Sequence, residues 1–193
     1  CAVELAIQTA AATGGTATAL TLGAAEAVEQ LRGALAVGCT AATHVVADSQ
    51  QMLKALIDPD SVSVSQRWAI PEPMRQQLLE IMARMPREST DPVYDSTEYY
   101  DGYARFFMIG DSKANKPESL HLIGKSGEAY GFLTDVSFIT ETGNELELLL
   151  AANIYVNADG IFNDDVYEYE SLGYPFLAAL GRSVWQALNA ESD

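Results

Sequence analysis

"HLIGKSGEAYGFLTDVSFI", residues His121 to Ile139, carries one lysine inside a stretch that otherwise reads as β-structure. A short apolar run ends at Gly124, Lys125-Ser126-Gly127 follows, and a longer apolar, β-branched and aromatic segment comes after. Two readings fit that junction. One is a tight turn with Lys125 in water; the other is an edge strand whose backbone must lie close to a substrate.

The flanking sequence supports strands. "ELELLLAANIYV" is a further strand candidate, and "ETGN" at 141–144 separates it from the preceding one as a hairpin turn. Upstream, "YARFFMIG" from Tyr103 also reads as a strand, followed by the loop "DSKANKPES". A closing helix is expected from about Tyr169 to Leu188, with Leu177, Leu180, Val184 and Leu188 on one face. Residues 103–156 are thus expected to form antiparallel strands, with that helix packed on the sheet.

The front of the chain is different in kind. Its first 67 residues contain no Phe, Tyr or Trp, and its first 50 hold 15 alanines. Small residues favour tightly packed helices, expected near 2–12, 16–23, 24–37 and 47–57. The last has Met52, Leu53, Leu56 and Ile57 at helical spacing, Asp48 or Ser49 as cap, and Asp58-Pro59 as stop. A further helix from about Pro73 to Met85 carries Met74, Leu78, Ile81, Met82 and Met85 as one stripe, read as core packing. Helices first, then a hairpin, then a helix predict an α+β fold, an antiparallel sheet with packed helices. One domain over 1–193 is expected, helical over 1–90, with the strand hairpin and C-terminal helix over 91–193.

Charge limits the function classes. Formal net charge is −16, with 9 acidic and 6 basic side chains in residues 1–90 but 18 and 5 in residues 91–193. Such a surface repels phosphate backbones, so nucleic acid and anionic membranes are poor partners. No apolar run reaches the roughly 18 residues of a membrane span, and no signal-peptide pattern opens the chain. Cys1 and Cys39 are too few for a disulfide scaffold and lack metal-ligand spacing. Cys1 in place of an initiator Met reads as processing or truncation, as a lipidated N-terminus, or as an N-terminal nucleophile.

Lys125-Ser126-Gly127 resembles the K-[TS]-G strand of the penicillin-recognising serine hydrolases, the class A β-lactamases and penicillin-binding proteins. The order of motif strand, hairpin, next strand and terminal helix is similar too. "TATALTLGAAEAVEQLRGAL" resembles the family's helical segment after S-D-N, although Thr13-Gly14-Gly15 stands where that motif should be. The resemblance covers most of residues 13–190. It implies a β-lactamase/transpeptidase-like fold that needs no cofactor or metal and takes a small-molecule or peptide substrate bearing a carboxylate. It assigns Lys125, Ser126 and Thr13 to the catalytic machinery. Gly127 would let substrate lie along the strand, and the Glu128 N–H would fill half of an oxyanion hole. A bacterial cell envelope or periplasmic location goes with it.

One part of that pattern is missing. No serine in the chain has lysine three residues later, so S-x-x-K is absent. The expectation is a domain incomplete at its N-terminus, with the missing segment as its partner, or a degenerate relative that binds without catalysing. His121 lies four residues before Lys125 and would share its strand face, making it a substrate-binding candidate. His44 is read as structural. "NADGIFNDD" at 157–165 fails the EF-hand pattern at Tyr155 and Val166 and is read as an acidic turn. The tyrosines of "EYYDGY" and "YEYE" are read as half-buried rings, or otherwise as the wall of a sugar or peptide groove.

Overall fold

The computed structural model describes residues 49–191, the backbone of 18–23 and 41–46, and positions 8, 10–12 and 14. Thr13, Cys1, Cys39 and the helix expected at 24–37 lie outside the described residues. The chain divides into two compact units, Cys1–Met52 and Leu53–Asp193.

In the first unit β1 (Thr18–Gly23) pairs in parallel with β2 (Ala41–Val46), Thr18 opposite Ala41 and Gly23 opposite Val46. The helix expected over 16–23 is therefore corrected to a strand. Thr18 and Thr21, like Thr43, Val45 and Val46 across the ladder, are β-branched, and a pairing partner lets that preference prevail over alanine's. Helical backbone at positions 8 and 10–12 falls inside the helix expected over 2–12.

Helix α1 (Ser49–Ile57) buries Leu53, Ala55 and Leu56, and a short turn at Pro59–Ser61 follows it. Helix α2 (Glu72–Ala83) starts between Pro71 and Pro73, where a missing N–H costs nothing. Its stripe is only partly core. Met85 is buried, but Met74, Leu78 and Ile81 are exposed, which corrects the reading of one continuous packed face. The chain leaves the helix at Arg84 in extended conformation, so Met85 turns inward on its own rather than as the next step of the helical stripe.

The three-stranded sheet has order β3-β4-β5: β3 (Leu120–Ala129), β4 (Phe132–Glu141) and β5 (Leu148–Tyr155), all antiparallel. Tyr130 (φ 55°) and Gly131 (φ 88°) form the two-residue link between β3 and β4, the doubly left-handed turn whose twist suits a hairpin. Lys125-Ser126-Gly127 thus lies inside a strand, and the tight-turn reading is set aside. Between β4 and β5, Gly143 (φ 84°) sits in the expected "ETGN" turn.

Strand alternation decides which face is core. Leu120, Leu122, Leu133, Ile139 and Leu148 point to one side and bury against Phe106, Phe107, Leu177 and Trp185. Leu177 and Trp185 come from α3 (Tyr174–Glu191), preceded by one π-helical turn at Tyr169–Gly173. At Gly181 the helix approaches residue 108 so closely that a Cβ would stand 2.9 Å from the Met108 nitrogen.

The strand expected at "YARFFMIG" is a correction. A 3₁₀ turn covers Asp101–Tyr103, and turns follow to Asp111, with Met108 at φ 70°. Phe106 and Phe107 are buried as that reading required, but their N–H groups bond a side chain instead of a neighbouring strand. Among the described residues the fold is α+β, with helices and an antiparallel three-stranded sheet.

Candidate functional site

The Asp135 carboxylate organises the loop that borders β3. It is wholly buried; one oxygen accepts the N–H groups of Phe106 (2.8 Å) and Phe107 (3.1 Å), the other the Ser137 hydroxyl (2.7 Å). Burial pushes its pKa above the ordinary carboxylate range, against the pull of those donors and of Arg105. Gly124 opposes Ser137 in the ladder, and a Cβ there would stand 2.5 Å from the Ser137 hydroxyl oxygen and 2.9 Å from its Cα. Glycine at 124 therefore keeps room for the Ser137–Asp135 bond.

Arg105 ties this loop to α2. Its guanidinium donates to the carbonyls of Ala104 (2.6 Å) and Met82, and it is buried, so desolvation lowers its pKa. The Ala104 carbonyl also accepts the Ser126 hydroxyl (2.8 Å). Helix α2, the 104–107 loop and β3 are thereby linked through one carbonyl.

The five candidates on β3 fall on two faces. His121, Lys125 and Gly127 share one; Ser126 and Glu128 share the other. Lys125 is exposed and donates to the Ser126 carbonyl. His121 is exposed and bonds the Thr142 hydroxyl at 2.8 Å, beside a groove also lined by Glu80, Arg84, Glu88 and Lys116. A Cβ at Gly127 would meet nothing within 4 Å. Glu128 accepts the Tyr174 hydroxyl. The side chains of Lys125 and Ser126 do not converge on a single point.

The backbone does offer an edge. The Thr142 N–H donates to the Ser119 carbonyl (2.8 Å), one step beyond the Leu120–Glu141 pair, so Ser119 and Thr142 form a hydrogen-bonded pair. Such pairs alternate in an antiparallel ladder. Odd-numbered residues of β3 therefore bond β4, while Ser126 and Glu128 aim N–H and C=O away from it. Among the described residues no strand pairs with that side.

Several residues were not singled out in the sequence. Asp135 is a carboxylate in the inward register of Leu133, Ser137 and Ile139, and that register was the available signal. Arg105 gave no such signal, since its segment reads as a strand. In "NADGIFNDD", Asn157 accepts the Gly160 N–H and Asp159 that of Ile161, so these oxygens close an acidic turn on itself. Of His44 only the backbone is described, opposite Thr21. Among the described residues no His, Cys, Asp and Glu cluster could hold a metal ion, and no helix is long and apolar enough to cross a membrane.

No family model, curated protein or solved structure matches the chain.

Proposed function

We propose that the chain is a serine-hydrolase-like domain, related to the β-lactamases and DD-peptidases, whose β3 edge holds a carboxylate-bearing substrate. The observation that carries this reading is the outward N–H of Glu128, one residue beyond an open Gly127 and three beyond an exposed Lys125. A substrate lying along that edge gains a backbone hydrogen bond and finds no side chain at position 127. The Lys125 ammonium supplies the countercharge for its carboxylate. The Ser126 hydroxyl is engaged by Ala104 and anchors the strand, so it joins the substrate only by leaving that carbonyl. A cell-envelope location suits a substrate of this kind.

The chemistry needs a nucleophile with a neighbouring base, and no serine in these 193 residues has lysine at the third following position. That fact favours a second reading, a non-catalytic module that keeps only the carboxylate site for a cell-wall peptide. A fluorescent penicillin tests both. Reversible occupancy displaced by a D-alanyl-D-alanine peptide is the expected result for this chain. Covalent labelling would mean that a nucleophile outside the S-x-x-K pattern is present, and no occupancy at all would reject the carboxylate site.

A further inference from the structure

At the far end of β3 the hairpin and the loop before α3 border an open groove of about 360 Å³. Its lining is Glu128, Ala129, Tyr130, Asp165, Tyr167 and Tyr169. Three of these are phenol rings, two are carboxylates, and none is Lys, Arg or His. The rings are held in place. The Tyr167 hydroxyl accepts the Asn163 N–H (2.8 Å) and the Tyr169 hydroxyl that of Gly131 (2.7 Å). Tyr167 and Tyr169 lie 5.2 Å apart, centroid to centroid, and Phe162 meets Tyr130 edge-on at 6.3 Å.

Aromatic faces carry negative potential, and a cation within about 6 Å of a ring centroid is attracted to it. Carboxylates at the same rim add to that field; a neutral sugar or peptide could donate hydrogen bonds to them but would lack the Coulomb attraction that a cation gains. The half of the chain beyond residue 90 holds 18 acids against 5 basic groups, a net negative field that favours cations at a groove with no basic side chain in its lining. We propose that this groove binds an alkylammonium group between its tyrosine rings and the carboxylates of Glu128 and Asp165. This rests on the groove alone and does not depend on the role of Lys125.

The test follows the tyrosine ring resonances of the whole chain by NMR in three titrations. One uses choline, one an N-acetylated lysine amide, and one the neutral carbon isostere of choline. Saturable shifts at Tyr130, Tyr167 and Tyr169 with either cation, and none with the isostere, are expected. Response to the lysine derivative alone assigns the groove to a peptide side chain; response to choline alone or to both assigns it to ammonium groups that include quaternary ones. Asp165→Asn, an exposed and nearly isosteric change, should weaken the binding roughly tenfold, the usual scale for one charge-assisted partner. No saturable response, an equal response to the isostere, or unchanged affinity in Asp165→Asn would overturn the proposal.

Discussion

Gly124 and Gly127 flank Lys125 and Ser126, and each is glycine for a different reason. A methyl at 124 would press on Ser137, whereas one at 127 would enter open space. Gly124→Ala should therefore destabilise the fold by about 1–3 kcal/mol, the usual range for overpacking. Gly127→Ala should change stability by less than about 0.5 kcal/mol. Urea unfolding of both variants checks this, and equal losses would mean that β3 is packed on both sides. Asp135 gives a pH signature. Its folded pKa is raised by burial, so its contribution is complete below the unfolded carboxyl value of about 4 and is lost as pH rises through the folded value. Asp135→Asn keeps an oxygen for the Phe106 and Phe107 N–H groups and lacks the ionisation. Its stability relative to the parent chain should rise with pH, as unfolding curves at several pH values would record; a parallel pH dependence would place the ionisation elsewhere.

At the scale of elements, period-2 patterning made β3, β4, β5 and the turn at 141–144 legible, because each strand has one buried face. α1 and the C-terminal helix were legible through their 3.6-residue spacing. Two kinds of element were not. The "YARFFMIG" segment has the apolar content of a strand, but its two N–H groups at Phe106 and Phe107 are satisfied by Asp135, a partner 28 and 29 residues away that local pattern cannot show. β1 was hidden among alanines, since its extended backbone depends on β2, more than a dozen residues later. The α2 stripe shows a further limit. Its spacing revealed a helix but not how much of its apolar side is covered. Ile81→Ser, at the most exposed position of the stripe, should accordingly cost little, within about 0.5 kcal/mol. Leu122→Ala, in the buried register of β3, should cost about 2–5 kcal/mol. Unfolding midpoints that ranked these two the other way would contradict the burial described here.

For the molecule as a whole, the candidate site was legible as residue types but not as geometry. Lys125, Ser126 and Gly127 were visible in the sequence; that adjacent side chains on a strand face opposite ways, and that Ser126 is held by Ala104, emerges only from register and loop packing. Thr13 lies outside the described residues, so the site stands on β3. The proposed site turns on whether the Lys125 ammonium holds a substrate carboxylate. Calorimetric titration of the chain and of Lys125→Ala with a D-alanyl-D-alanine peptide addresses it directly. The parent chain should bind, and the variant should bind more weakly by about 0.5–1 kcal/mol, the upper range for an ion pair at an exposed lysine. Equal affinities, or no binding by the parent chain, would contradict it.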